Sequence, residues 1–341
     1  MQPQIHTFTL AYPISSYEHY LLKKQFFKMA EGLPKCCYEN SGRTIFNYWA
    51  SSGVVLSMEM FSGEYNGGMI YFKINPSTLI GDYSPRALYA PVEDVSIISD
   101  KLKKILSVIP INICVDALSL SRIDICIDCE VDKQKVLDTY VKILKKGTRS
   151  SSWEPKYFDD ECDNAHSFRR SSKRYQLTVY DKMYEISRRK NPECDGKYKI
   201  LRIEAALMSK GIYHMSCKYS LCGNTWEETI CEIFKAGADI LCDVINKIIP
   251  PGNYYSMSEA RDLIMNSGYS QNKKEALFEF LKEINRKSEV NLFEIRKVKN
   301  GKKRLLQLSA LGVNPVAITA RERMKFLPGL DTLVKAMCSM P

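Results

Sequence analysis

The chain has 341 residues, 45% apolar and 26% charged, with a formal net charge of +10. This composition excludes a disordered or collagen-like chain, supports two or three folded domains, and favours a polyanionic partner such as nucleic acid. No run of about 18 apolar residues marks a membrane span, and Met1-Gln2-Pro3-Gln4-Ile5-His6 lacks the pattern of a secretory signal, so the expectation is a cytoplasmic protein with no membrane partner.

In chain order, residues 7–11 read as a strand and 15–30 as a helix, with Ser15 or Ser16 as its cap and Glu31-Gly32 as its end. Three strands follow at 43–49, 54–61 and 68–74, stopped by Asn75-Pro76-Ser77. A helix at 92–108 ends before Pro110. After a strand over 121–129, Asp132 is the expected cap of a helix over 133–146 that Gly147 closes. Residues 148–172 form a polar, weakly periodic stretch holding Asp159, Asp160, Glu161 and Asp163, which suits a substrate loop or a solvated insertion equally. A strand at 174–180, a helix at 181–190, a strand at 201–205 and an amphipathic helix at 225–249 complete a domain over residues 1–249. Its class is α+β, with helices behind a mainly antiparallel sheet.

Pro250-Pro251-Gly252-Asn253 reads as a domain boundary. Beyond it, helices at 258–265 and 272–286 precede two strands, 292–298 and 304–308, on either side of Lys299-Asn300-Gly301-Lys302. That order is the outline of a winged helix over 254–341. The hairpin carries Arg296, Lys297, Lys299, Lys302, Lys303 and Arg304, a pattern suited to a phosphate backbone or to a solvated edge that resists aggregation.

The chemistry concentrates on three strands. In Ser121-Arg122-Ile123-Asp124-Ile125-Cys126-Ile127-Asp128-Cys129 the isoleucines take one face, and Arg122, Asp124, Cys126 and Asp128 take the other. Residues 174–180 set Arg174, Gln176, Thr178 and Tyr180 opposite Tyr175, Leu177 and Val179. Arg202 and Glu204 share a face between Leu201, Ile203 and Ala205. If the strands share a sheet, its polar side collects carboxylates, a tyrosine and arginines. Asp124, Glu204 and Asp128 are hard oxygen donors of the kind Mg2+ or Mn2+ takes. Twelve cysteines add no metal motif: Cys126 and Cys129 alternate across a strand, and reduced thiols are expected.

Val179-Tyr180-Asp181-Lys182-Met183-Tyr184-Glu185 supplies a nucleophile. A tyrosine hydroxyl can attack a phosphodiester, with help in losing its proton. Lys182 would favour the phenolate, Lys182 and Arg202 would take phosphoryl charge, and Tyr184 is an alternate or second tyrosine. Spacing alone favours the plainer reading, in which Tyr180 is a half-buried strand aromatic and Asp181 a helix cap. His166, in the polar stretch, reads as a surface residue.

Arg122-Ile123-Asp124 with Ile127-Asp128, then Val179-Tyr180-Asp181-Lys182 with Glu185, then Arg202-Ile203-Glu204, stand in the order seen in rolling-circle replication initiators. The chain resembles the phage/plasmid gene II/X family, with Gram-positive plasmid Rep proteins as relatives. Residues 71–81, Leu311-Gly312-Val313-Asn314-Pro315 and Leu327-Pro328-Gly329-Leu330 resemble the family's N-terminal and tail stretches. The resemblance implies a Rep/relaxase-like nickase that joins a 5′ phosphate to tyrosine and leaves a 3′ hydroxyl. It also implies origin DNA, single-stranded and duplex, and a host helicase and polymerase as partners. The chain departs from initiators with a His-hydrophobe-His metal pair, since His6, His19, His166 and His214 lie far apart. A conjugative relaxase of the same chemistry and a non-catalytic winged-helix regulator are the rival readings.

Overall fold

The computed structural model describes residues 2–61, 67–91, 94–148, 154–155, 165–188, 198–286 and 290–339. The chain is α+β, with antiparallel sheet and thirteen α-helices among those residues. Its contacts define two units, the first of residues 3–125 and 206–237, the second of residues 1–2, 126–205 and 238–341. Pro250–Asn253, read from the sequence as a boundary, therefore lies inside the second unit. Asp159, Asp160, Glu161 and Asp163 fall outside the described residues. No helix among the described residues is long and apolar enough to cross a membrane.

The first unit opens with β1 (Gln4–Ser15), α1 (Ser16–Met29), β2 (Cys37–Asn40), β3 (Arg43–Phe46), β4 (Val54–Met60) and β5 (Gly67–Ile74). Then come α2 (Pro76–Ile80), α3 (Val95–Leu106) and the start of β6 (Ser119–Glu130), whose end belongs to the second unit. The strand order is β2-β3-β4-β5-β1-β6. Alternation buries Val54, Leu56 and Met58 on β4 and Ile70, Phe72 and Ile74 on β5, with Leu56 and Leu10 both opposite Phe72. Ser15 starts α1 with a capping box: its hydroxyl accepts from Glu18 N–H at 3.2 Å, and its own N–H donates to the Glu18 carboxylate at 2.7 Å. Leu22 and Phe26, one turn apart, are the buried face of α1, and Phe26 stacks on Phe46 at 4.2 Å. Asn75-Pro76, expected only to stop β5, also starts α2, since the Asn75 side chain accepts from Thr78 N–H and proline suits the first helical position.

The second unit continues with α4 (Gln134–Lys146), β7 (Gly147–Thr148), β8 (Glu154–Pro155), β9 (Ser167–Ser171), β10 (Tyr175–Asp181), α5 (Lys182–Arg188) and β11 (Ile200–Met208), whose last residues belong to the first unit. Its strand order is β6-β11-β10-β9-β8. Tyr175, Leu177 and Val179 are buried as the alternation requires, and Tyr180 pairs with Ser167 on β9. Asp132 does not cap α4; the chain enters that helix through Lys133, which makes no side-chain cap bond.

α6 (Ser209–Tyr219) and α7 (Trp226–Lys235) return to the first unit, where Trp226 stacks on Phe8 and donates its indole N–H to the Val115 carbonyl. α8 (Gly237–Ile248) follows. The single helix expected over 225–249 is thus two helices, parted at Ala236-Gly237, where glycine is the weak helix former.

The remainder of the second unit comprises β12 (Tyr254–Tyr255), α9 (Met257–Met265), α10 (Gln271–Asn285), β13 (Val290–Asn291), α11 (Leu292–Lys297), α12 (Gly301–Ala310), β14 (Phe326–Leu327) and α13 (Leu330–Cys338). Buried Asn314 ties down the Pro-Pro-Gly stretch, donating to the Pro250 carbonyl at 2.6 Å. Gly252 has φ +110°, and a Cβ there would meet the Asn314 nitrogen at 2.8 Å.

The winged-helix hairpin expected over 292–308 is absent, because both of its strands are helices, α11 and α12. Leu292 and Ile295 are buried three residues apart, and Gly301 and Leu308 seven apart, which are helical rather than strand spacings. Residues 301–310 contain no β-branched side chain, only helix formers with Gly and Ser. Asn300-Gly301 has the composition of a tight strand turn but joins two helices: Asn300 takes φ +63°, and a Cβ on Gly301 would collide with the Ile295 carbonyl oxygen.

Candidate active site

Asp128 near the end of β6, Arg202 and Glu204 on β11, and Tyr180 near the end of β10 come together in the second unit. Arg202 is fully buried and grips Asp128 with both arms of its fork, Nε to Oδ1 at 2.6 Å and Nη2 to Oδ2 at 2.7 Å. Burial works against its charge; the hydrogen bonds to Asp128 and the charge of that carboxylate outweigh it and raise the guanidinium pKa. Such a pair offsets its desolvation only as a pair.

Tyr180 is half-buried as a residue. Burial of its phenol, followed by the Glu204 carboxylate, pushes its pKa well above 10, while Arg202 pulls the other way. The phenol is therefore neutral at physiological pH, with Glu204 as the neighbouring carboxylate. The polar face anticipated on β11 exists, but it is covered: Arg202 is 0% and Glu204 9% exposed.

Lys182, anticipated as the cation beside the phenol, is buried and donates to Glu185 at 2.6 Å. Arg202 is a cation that acts on the Tyr180 phenol. Asp181 fulfils the cap reading, with Oδ1 accepting from Tyr184 N–H at 2.9 Å and Oδ2 from Gln134 at 2.8 Å. Tyr184 lies on α5, its ring stacked on His166 at 3.9 Å and 20°. His166 is thus half-buried rather than a surface residue, and its backbone carbonyl accepts from Asp181 N–H. Nothing in the sequence signalled this contact, because the two residues are neighbours only through the pairing of β9 with β10.

Asp124 belongs to the first unit and is 4% exposed. Its Oδ1 accepts from Arg122 Nε at 2.7 Å, and its Oδ2 from Thr7 at 2.7 Å and Arg122 Nη2 at 3.3 Å. The residues expected to hold Mg2+ or Mn2+ were Asp124, Asp128 and Glu204. Both oxygens of Asp124 and both of Asp128 are taken by arginine, and no three Asp, Glu, His or Cys side chains among the described residues group as metal ligands. As arranged, this donor set does not fit a divalent ion.

The basic residues of the C-terminal segment stand on α11, α12 and the turn between them. Arg296, Lys302 and Lys303 line an open groove of about 520 Å³ with Tyr269, Val298 and Leu306. Lys297 pairs with Glu294 at 2.8 Å, Arg304 lies over the Phe280 ring, and Lys299 is exposed outside the groove lining. Sequence spacing placed these cations on a wing; the helices instead gather three of the six on one groove.

No family model and no curated protein matches this chain.

Proposed function

We propose that this chain is a rolling-circle replication initiator that nicks origin DNA through Tyr180, the reading its resemblance to the gene II/X family implies. The observation that carries it is the phenol of Tyr180 set against Glu204 and Arg202 on adjacent strands. In the proposed step the Tyr180 Oη attacks the scissile phosphorus and passes its proton to Glu204. The P–O3′ bond breaks, the 3′ oxygen takes a proton from solvent and leaves as a hydroxyl, and the 5′ phosphate remains on tyrosine. The positive field of Arg202 favours the developing phenolate. Asp128 holds Arg202 in place. The groove of Arg296, Lys302 and Lys303 supplies sequence-independent affinity for the phosphate backbone. Mg2+ or Mn2+ belongs to the family expectation, but no step here runs through either ion.

The test is incubation of the protein, with and without Mg2+ or Mn2+, with a supercoiled plasmid carrying the DNA that flanks its own gene. Open circles carrying covalently bound protein are expected. Binding without relaxation or adduct under either condition would favour the second reading, a non-catalytic DNA-binding protein, to which the basic groove is equally suited. A conjugative relaxase shares the chemistry and differs in its DNA site, a transfer origin.

A further inference from the structure

α1 presents an outward face that no part of this reaction uses. Its exposed residues are Ser16, Tyr17, Tyr20, Lys24, Phe27 and Lys28. At about 100° per residue they share one arc of roughly a third of the circumference, opposite buried Leu22 and Phe26. Tyr17 is 69%, Tyr20 61% and Phe27 43% exposed, a high density of open aromatic surface for one short helix. Lysines alternate with the rings, and no acid of the helix shares the arc: Glu18 is turned back onto Ser15, and Glu31 lies beyond the C-cap Ala30.

We infer that this face of α1 is a binding track for single-stranded DNA. Rings interleaved with like-signed cations match a ligand that offers flat π-surfaces and phosphates at short intervals, as a single strand does. Duplex DNA hides its base faces, so it would meet the lysines and leave the rings unused. A membrane surface is also anionic, but an interfacial helix needs a broad apolar side to insert, and the apolar side of α1 is already buried within its own unit. The inference rests on the proposed nicking activity for the origin of its ligand, the strand released at the nick.

The test measures fluorescence anisotropy of a labelled oligothymidine of roughly 20 nucleotides, long enough to span one binding site, with the full chain at low salt. The triple variant Tyr17→Ser, Tyr20→Ser, Phe27→Ser should bind at least about tenfold more weakly, as loss of base stacking requires. Tyr17→Phe with Tyr20→Phe should bind as the parent does. Lys24→Ala with Lys28→Ala should flatten the salt dependence by roughly 0.7 log–log unit for each phosphate left unneutralised. All of these positions are exposed, and an unchanged melting curve verifies the fold; if the triple variant melts early, Tyr17→Ser and Tyr20→Ser are measured singly. Parental affinity in the ring variants overturns the inference. So does ring-dependent binding to phosphatidylserine vesicles with oligothymidine affinity unchanged. A protein that never nicks yet binds the oligonucleotide through these rings loses only the nuclease reading, and one that nicks while the ring variants bind normally loses only this inference.

Discussion

Asp128 and Arg202 form a two-armed ion pair in which the arginine is wholly enclosed, with contacts of 2.6 and 2.7 Å. This geometry sets what Asp128 does. A carboxylate holding both arms of a buried guanidinium is a structural anchor, and its removal strands a positive charge in the interior. Asp128→Ala should therefore lower stability by about 3–5 kcal/mol in urea unfolding. Arg202→Lys should fail to restore it, because a point charge cannot replace the fork. The double replacement Asp128→Leu with Arg202→Met should recover most of the loss. If Asp128→Ala left the midpoint unmoved, the pair would be incidental.

Tyr180 gives a second measurable consequence. Burial and Glu204 hold its phenol protonated well above pH 10. A pKa that is higher in the folded state than in the unfolded chain contributes stability that is complete below about 10 and is lost as pH rises through the folded value. Stability should be flat in this respect up to about pH 10 and fall beyond it. Tyr89, Tyr140 and Tyr254 are raised by burial in the same way, so Tyr180→Phe should remove part of the alkaline loss and not all of it. Near-ultraviolet titration of phenolate absorbance, compared between parent and variant, checks this. A phenol titrating near 10 that disappears in Tyr180→Phe would contradict the buried environment.

The basic groove predicts a salt effect on duplex binding. Replacing Arg296, Lys302 and Lys303 with alanine should weaken binding to any duplex and reduce the log–log salt slope by about 0.9 for each phosphate that is no longer neutralised. Lys297→Ala should do less, since Glu294 already neutralises Lys297. An equal loss per charge removed, from the groove and from Lys297, would mean that net charge, and not the groove, attracts the DNA.

The sequence was informative wherever periodicity and burial act together. The alternation of β10 put Tyr175, Leu177 and Val179 inside, and Ser15-Ser16 marked the start of α1, because a two-residue repeat and a hydroxyl residue before a helix are local signals. Asn300-Gly301 misled because its composition fits a strand turn, while the decisive fact, the approach of the Ile295 carbonyl to Gly301, is a contact between helices. Charge pattern brought Asp128, Arg202 and Glu204 to notice but not their partners. Two carboxylates that suit a cation in sequence are matched by arginine two strand positions away, as Arg122 is to Asp124, or on a different strand, as Arg202 is to Asp128. His166 beside Tyr184 was invisible for the same reason: a stack between the residue before β9 and a residue of α5 leaves no mark in local sequence.

The two tyrosines can be separated. Residue spacing alone gives Tyr184 the greater freedom, one turn into a helix, but the structure holds its ring against His166 and its backbone N–H on Asp181. Anchoring therefore does not decide between them, although a nucleophile displaced by about 1 Å can lose on the order of a hundredfold in rate. The difference lies in the surroundings of the hydroxyl. The phenol of Tyr180 feels the Glu204 carboxylate and the Arg202 guanidinium, the groups to which the proposed reaction gives its proton and its phenolate charge, whereas the Tyr184 ring is stacked on an imidazole. Tyr180→Phe should bind DNA as the parent does and form no covalent adduct. Glu204→Gln should bind and form the adduct on the order of a hundredfold more slowly or worse, as loss of a general base requires. Tyr184→Phe keeps a ring for His166 to stack on and should still form the adduct. Digestion of the trapped complex and mass spectrometry should find the nucleotide on the peptide's Tyr180. A nucleotide on Tyr184, with Tyr180→Phe still active, would transfer the nucleophile to α5 and leave Tyr180 as a buried strand aromatic.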